Sequence, residues 1–125
     1  MAIATTIDLE SQLTTFKAEG MLNLDEIKQT ISAYYQGDVT RMVLWDLRKA
    51  SLNNLTSQDV QDLVKFLEQR GSVRQGGLTA LVATEDAEFG MLRMGEAYAN
   101  GVPFRLGVFR SLDKAHEWLV QTSGA

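Results

Sequence analysis

Polar side chains that could bind a charged ligand gather at the end of one apolar stretch of this sequence. The stretch covers residues 42–47 and is typical of a β-strand buried on both faces. In open α/β sheets, ligands gather where strands end and helices begin. The pattern therefore predicts a ligand-binding or partner-binding site at this edge of the sheet. Its candidate residues are Asp46, Arg48, Ser51, Thr56 and Ser57.

Asp46 and Arg48 allow two interpretations. Residues two apart on a strand face the same way, so the carboxylate and the guanidinium could hold a ligand together. They could instead pair with each other while the carboxylate accepts backbone N–H groups of the following loop. We favour the second interpretation, in which the pair orders the loop without a ligand.

Thr56 and Ser57 also allow two interpretations. A phosphate on either hydroxyl would add negative charge where a helix amino terminus tolerates it. Thr56 is, however, followed three residues later by Asp59, which is the spacing of a helix cap. Capping explains this segment without a modification, and we favour it over a phosphosite.

The whole chain alternates between strand patterns and helix patterns. Two short β-branched segments at the start are separated by polar residues and predict a hairpin. Later apolar runs, helix caps and Gly or Pro residues mark the other boundaries. The predicted strands cover residues 3–10, 13–19, 42–47, 76–84 and 104–109, and the predicted helices cover about 24–37, 56–71, 85–100 and 111 to the end.

The resulting order is β-β-α-β-α-β-α-β-α. Strands joined through single helices imply right-handed crossovers and parallel neighbours, whereas the opening hairpin supplies an antiparallel strand. We therefore expect an α/β fold with a mixed five-stranded sheet and flanking helices. A length of 125 residues with 45% apolar residues suits a single domain over residues 1–125.

Composition excludes several classes of function. A net charge of -4 gives no drive towards nucleic acid. The absence of cysteine excludes disulfides, thiolate metal sites and a cysteine nucleophile, and with one histidine we expect neither a metal nor a cofactor. No stretch approaches the ~20 apolar residues of a membrane span, and the amino terminus has no signal pattern. We expect a cytoplasmic protein with no transmembrane segment.

The third predicted helix has apolar residues on more than one side. A face that the sheet does not cover would pack beneath a neighbouring element or form an exposed groove, where Met side chains adapt to a partner. Phe66 on the second helix also lies off its main stripe, so we expect a homodimer. The predicted stripe contains Ala87, Met91, Met94 and Tyr98, and the residues that point elsewhere are Phe89 and Leu92.

Charged residues on the third helix are a weaker candidate site. Arg93 could form a ligand clamp with the acidic residues Glu85, Asp86 and Glu88. Such residues more often form a solvated face with weak ion pairs, and we favour that interpretation. The loop at 71–77 is expected to be the most flexible connection, with Gly76 and Gly77 forming a turn.

Three segments resemble the SpoIIAA-like branch of the STAS superfamily, the anti-sigma factor antagonist fold. They are Val-Leu-Trp-Asp-Leu-Arg at 43–48, Glu-Phe-Gly-Met-Leu-Arg at 88–93 and Val-Phe-Arg-Ser-Leu-Asp-Lys-Ala-His-Glu-Trp-Leu at 108–119. Their order and spacing cover nearly the whole chain. The resemblance implies a STAS-type fold and a bacterial regulatory protein.

The same resemblance implies two possible modes of action. Some relatives switch partners when a Ser at a helix start is phosphorylated within an Asp-Ser-Ser-Gly type sequence. The matching segment here is Leu-Thr-Ser-Gln at 55–58, which keeps the hydroxyls of Thr56 and Ser57 but lacks the Asp and the Gly. The branch also resembles the lipid-carrying CRAL-TRIO fold, which implies an apolar ligand.

Two functional hypotheses remain open from the sequence. The first is a non-enzymatic binding or regulatory module that acts through protein contacts, including contacts with itself. The second is a small carrier of an apolar or lipid-like ligand, held between the sheet and the third helix. An enzyme is the least favoured class, because no catalytic motif is present. The candidate surface on the third helix contains Phe89, Met91, Arg93 and Met94.

Overall fold

The computed structural model describes residues 2–123 and has the predicted order of elements. Its strands are β1 (Ile3–Asp8), β2 (Leu13–Met21), β3 (Met42–Ser51), β4 (Leu78–Val82) and β5 (Arg105–Phe109). Its helices are α1 (Leu24–Gln36), α2 (Ser57–Arg70), α3 (Asp86–Tyr98) and α4 (Leu112–Ser123), and single 3-10 turns follow α2 at Gly71–Arg74 and α3 at Ala99–Gly101.

The five strands form one mixed sheet in the order β1-β2-β3-β4-β5. β1 and β2 pair antiparallel, as expected for the opening hairpin. The β2–β3, β3–β4 and β4–β5 pairs are all parallel, because a helix separates the two strands of each pair in the chain. The predicted α/β fold with a mixed five-stranded sheet is therefore confirmed.

Local hydrogen bonds fix the starts of the first two helices. The Asn23 side chain accepts from the Glu26 N–H at 2.9 Å, and the Glu26 side chain accepts from the Asn23 N–H at 3.3 Å. Thr56 and Asp59 make the same reciprocal pair at 3.0 Å in both directions. These capping boxes satisfy backbone donors that a helix cannot pair internally, so both predicted helix starts are confirmed.

Alternation along β3 creates two different cores on the two faces of the sheet. Val43, Trp45 and Leu47 pack with α1, α2 and α3, in a cluster that also contains Phe16. Leu44 faces the other way and packs in a smaller cluster under α4. We call these the three-helix face and the α4 face. Asp46 belongs to the α4 face by the same alternation.

The end of β3 differs from the sequence prediction. The strand continues to Ser51 instead of ending near Leu47, because β2 pairs with it along this whole length. Its pairing with β4 stops at Asp46. Asp46 and Arg48 therefore lie within a strand that extends beyond its neighbour, and Ser51 is the last residue of that strand.

The buried side of α3 also differs from the predicted stripe. Glu88 and Leu92 are buried, Met91 and Gly95 are half-buried, whereas Ala87 and Tyr98 of the predicted stripe are exposed. The buried Glu88 carboxylate accepts the N–H of Leu52 at 3.2 Å, which ties α3 to the loop after β3. This bond favours a helix rotation that an apolar stripe alone does not predict.

The connection 71–77 is not the loosely held loop that the sequence predicts. Its first residues form a 3-10 turn, and Arg74 within that turn is buried. Gly76 has a φ of +79, and a side-chain carbon at Gly77 would meet the Arg74 Nη2 at 2.8 Å. The two glycines thus form the expected turn, and they also let the arginine approach the backbone.

Candidate functional site

A cavity of about 140 Å³ lies in the three-helix face, between the sheet and α1, α2 and α3. Its wall is formed almost entirely by apolar and aromatic side chains. Gly95 on α3 contributes to the cavity by having no side chain, since a carbon added there would meet Val60 only at an ordinary 3.5 Å. Residues of the wall include Phe16, Tyr34, Tyr35, Trp45, Leu63 and Met91.

Among the described residues that form the wall of this cavity, Arg74 is the only positively charged side chain, and it is 4% exposed. Its Nη1 donates to the Thr79 hydroxyl at 2.6 Å, and its Nη2 donates to the Arg41 and Leu78 carbonyls, both at 2.9 Å. Its Nε donates to the Thr40 carbonyl at 3.3 Å. These bonds hold the guanidinium at the amino-terminal ends of β3 and β4.

Within the described part of the chain, Arg74 has only neutral hydrogen-bond acceptors and no salt bridge. The salt bridges among residues 2–123 involve Arg48, Arg93 and Arg110, and none of them includes Arg74. The Phe104 ring lies 4.9 Å from the guanidinium carbon. Burial lowers the pKa of Arg74 below its usual range, but a guanidinium remains protonated at neutral pH.

A buried hydroxyl network borders Arg74. The Thr40 hydroxyl lies 2.8 Å from the hydroxyls of both Thr14 and Tyr34. The Tyr34 hydroxyl also accepts the Thr40 N–H at 2.8 Å. Phe16 packs edge-on against the Tyr34 ring and lies 4.4 Å from the Trp45 ring by centroid. Polar and aromatic groups therefore meet at one end of an otherwise apolar cavity.

Asp46 and Arg48 form the structural pair that the second interpretation predicts. Arg48 donates from Nε to Asp46 Oδ1 and from Nη2 to Asp46 Oδ2, each at 2.9 Å, and the Arg48 N–H reaches Oδ1 at 3.2 Å. The hydrogen bond from the Arg48 side chain is the main reason why the pKa of Asp46 lies below 3.8. The carboxylate orders the backbone at Arg48, as expected, although this lies within the strand rather than in the loop.

The hydroxyl candidates at the end of β3 and the start of α2 have different surroundings. The Ser51 hydroxyl accepts the Asn53 N–H at 3.3 Å within the loop. Thr56 is engaged in the capping box of α2, whereas Ser57 begins the helix and is exposed. The cap interpretation of Thr56 is confirmed, and phosphorylation of Ser57 stays a prediction.

The candidates on α3 have partners within the chain. Arg110 lies 4.2 Å from the Phe89 ring and also pairs with Asp86 at 2.8 Å. Arg93 pairs with Glu96 at 3.2 Å and remains 61% exposed, so it does not form the clamp with the earlier acidic residues. Met91 packs on the core and Met94 is half-buried.

The side chains that suggested a homodimer are also covered within the chain. Phe66 packs on the core, with the Arg70 guanidinium 5.2 Å from its ring, and Leu92 is buried. Arg110 covers Phe89. These residues therefore do not require a second subunit, and dimerisation stays a prediction without their support.

The sequence candidates do not form one site. Asp46 and Arg48 lie on the α4 face, whereas Met91 belongs to the core of the three-helix face. The buried Arg74 was missed as a functional candidate, and Glu88, considered only for a clamp with Arg93, is instead buried and bonded to the loop after β3. The Gly-Gly turn beside Arg74 is a signal of close backbone approach, but it does not indicate the side chain that approaches.

Comparisons with other proteins add no identity. No protein-family model matches the chain, and no curated protein matches it. Among the described residues, each helix is too short or too polar to cross a membrane. His, Asp and Glu side chains within residues 2–123 do not gather in groups of three that could hold a metal ion.

Proposed function

We propose that this protein is a non-enzymatic binding module of the SpoIIAA-like type whose ligand is a small apolar molecule held in the cavity of the three-helix face. The observation that carries the proposal is the apolar cavity of about 140 Å³. An engineered cavity of about 150 Å³ in another protein binds benzene or xenon. The cavity here can therefore hold a group of about six carbon atoms.

The energetics of packing support an occupant. Protein interiors are normally close-packed, and unfilled volume reduces stability by about 24 cal/mol per Å³. A ligand of matching shape restores the missing contacts and stabilises the folded state by mass action.

The resemblance found in the sequence supports the same proposal. The segments at 43–48, 88–93 and 108–119 are similar to SpoIIAA-like sequences, and that branch resembles the CRAL-TRIO carrier fold. Residues from the first two segments, including Trp45 and Met91, contribute to the cavity wall. We assign the module, on this resemblance, to the bacterial cytoplasm.

Protein contact is the second candidate function. It is favoured by the surface beside α4, which packs on β3, β4 and β5 and leaves Lys17 on β2 and Arg48 on β3 exposed. Partner switching would use the exposed Ser57 at the start of α2 as its regulatory hydroxyl. Light scattering over a wide concentration range tests the homodimer, and a constant monomer mass would contradict it.

A titration with benzene tests the apolar-ligand proposal. Amide chemical shifts of ¹⁵N-labelled protein should move in a saturable way at residues of the cavity wall and stay constant under α4. Gly95→Leu should abolish the effect because the new side chain fills the cavity. Gly90→Leu is the matched control, since Gly90 is an exposed glycine of the same helix with nothing within 4 Å of an added carbon.

The proposal would be contradicted if benzene caused no saturable shifts in the wild-type protein. It would equally be contradicted if Gly95→Leu and the wild type responded alike. Native mass spectrometry of freshly purified protein, compared with a denatured sample, provides a second test. A bound mass that disappears on denaturation and is absent in Gly95→Leu supports the proposal.

A further inference from the structure

We infer that the ligand of this cavity is a small monocarboxylate with an apolar body of about six carbon atoms, whose carboxylate binds Arg74. This inference rests on the proposed function and names the class of ligand. It joins two observations, namely an apolar cavity and one buried arginine in its wall.

Arg74 carries a buried positive charge that no acidic side chain among residues 2–123 pairs with. Burying an ion without a partner of opposite charge is unfavourable, and buried arginines usually pair with carboxylates. Arg74 donates hydrogen bonds of 2.6 to 3.3 Å only to carbonyl and hydroxyl oxygens of the described residues. These neutral acceptors hold the guanidinium in place, but they do not neutralise its positive charge. A carboxylate from a ligand supplies the missing negative charge.

The hydrogen-bond donors of Arg74 also favour a carboxylate. A guanidinium has five N–H groups, and one belongs to Nε while each terminal nitrogen has two. In Arg74 the Nε and both Nη2 donors have carbonyl acceptors, whereas Nη1 donates to the Thr79 hydroxyl and the Tyr34 hydroxyl lies near the guanidinium. A carboxylate oxygen is a stronger acceptor for the second Nη1 donor than a neutral hydroxyl.

The wall of the cavity combines a few polar side chains with a largely apolar surface. Tyr35 belongs to the wall together with Arg74, and burial raises the pKa of Tyr35 above 10.0, so its hydroxyl remains a donor at neutral pH. Leu63 and Met91 belong to the apolar part of the wall. A ligand with an anionic group and an apolar body matches this division of the wall into polar and apolar parts. A cationic ligand would place its positive charge beside that of Arg74.

The size of the cavity limits the apolar body. About 140 Å³ suits one aromatic ring or a chain of about six carbons, and it excludes a long-chain fatty acid from complete burial. Benzoate is therefore a suitable probe. Benzyl alcohol and benzylammonium keep the ring and replace the negative charge by a neutral group and by a positive charge.

The test uses fluorescence of Trp45, which belongs to the cavity wall, in the full chain with Trp118→Phe. Trp118 lies on the α4 face beside Phe109, so this change removes the second fluorophore without touching the cavity. Benzoate should change the emission of Trp45 in a saturable way, with a Kd about tenfold or more below that of benzyl alcohol. Benzylammonium should bind more weakly than both.

Variants of Arg74 separate the charge from the shape of its side chain. Arg74→Lys should keep a preference for benzoate with weaker binding, because the charge remains and the fork is lost. Arg74→Met should bind benzoate no more tightly than benzyl alcohol. If Arg74→Met does not fold, the binding of the three probes to the wild type and to Gly95→Leu still tests the inference, because these measurements require no change at Arg74.

The possible outcomes distinguish the two proposals. Benzyl alcohol binding as tightly as benzoate, with both lost in Gly95→Leu, would overturn the carboxylate inference and leave the apolar-ligand proposal intact. Absence of binding by every probe, together with no response to benzene, would overturn both. Benzoate binding that persists in Gly95→Leu would place the anion outside the cavity and would also overturn the inference.

Discussion

Arg48 lies in β3, whereas Arg74 lies in the 3-10 turn after α2, and the two arginines have opposite environments. Arg48 is 40% exposed on the α4 face and pairs with Asp46 through both carboxylate oxygens. Arg74 is 4% exposed at the other end of the sheet, borders a cavity, and has only neutral acceptors in the described chain. The exposed Arg48 thus has a carboxylate partner, although water solvates its charge and an exposed ion pair adds little stability. The buried Arg74 has no carboxylate partner among residues 2–123.

The two faces that contain these arginines differ in the same sense. Under α4, Leu44, Leu78, Ala80 and Leu119 are at most 1% exposed and form a small closed core. The three-helix face has the larger core and also the cavity. The α4 face thus has a closed core beside a paired arginine, whereas the three-helix face, which we propose as the binding face, has a cavity beside an arginine with no carboxylate partner among residues 2–123.

The largest difference is expected between the two arginines. Arg74→Met should lower the free energy of unfolding by about 3 kcal/mol, because it removes four hydrogen bonds and leaves buried carbonyls without a donor. Arg48→Met should lower it by less than about 1 kcal/mol, since its ion pair is exposed. Urea unfolding of both variants checks this prediction, and equal losses would contradict the comparison.

The α4 face should not tolerate added volume. Ala80 is completely buried in its core, so Ala80→Val should lower the free energy of unfolding by about 1–3 kcal/mol. Thermal and urea unfolding measure this loss. A neutral effect would show that the α4 face also has spare volume, and the distinction between the faces would then be lost.

The three-helix face should accept added volume. Gly95→Ala should raise the free energy of unfolding by about 1 kcal/mol, because alanine favours a helix and its methyl group contacts Val60 at an ordinary 3.5 Å. Gly90→Ala gains only the helix preference, and we expect about 0.5 kcal/mol or slightly more. Unfolding by urea compares the two variants, and a smaller gain at Gly95 than at Gly90 would argue against spare volume there.

The segment after β3 should respond as a structural element. Thr56→Ala should lower the free energy of unfolding by about 1 kcal/mol through loss of the cap. Ser57→Ala should change it by less than about 0.5 kcal/mol, since the residue is exposed. The opposite order in urea unfolding would assign the structural role to Ser57 and remove it as a candidate regulatory hydroxyl.

The smallest effect concerns the acid dependence of the Asp46–Arg48 pair. The pKa of Asp46 in the folded protein lies below 3.8, chiefly because of the Arg48 side chain. The ionised carboxylate therefore contributes its full stabilisation above pH 3.8, and this contribution is lost as the pH falls through the folded pKa. Asp46→Asn should therefore weaken the loss of stability below about pH 4. Urea midpoints measured against pH test this, and Asp38→Asn, in an exposed loop, should leave the profile unchanged.

Local patterns predict much of this fold. The pairs Asn23 with Glu26 and Thr56 with Asp59 identify helix starts because each cap involves residues three apart. Strands joined by single helices likewise define the parallel sheet. Sequence also suggested the Asp46–Arg48 pair, since two residues on one strand necessarily share a face.

The cavity and its arginine could not be predicted in this way. Arg74 is buried by contacts with Thr40 and Arg41, 34 and 33 residues away in the chain. The rotation of α3 depends similarly on a bond between Glu88 and Leu52, 36 residues apart. Periodicity records which residues of a helix share a side, but it does not show where three helices leave space between them.

A crystal structure under xenon pressure tests the central claim most directly. Xenon occupies apolar cavities without requiring a polar contact, so it reports spare volume on both faces at once. We predict a xenon atom between the sheet and α1, α2 and α3, with none under α4, and loss of that atom in Gly95→Leu but not in Gly90→Leu. Absence of xenon from the three-helix face, or its binding under α4, would contradict the account.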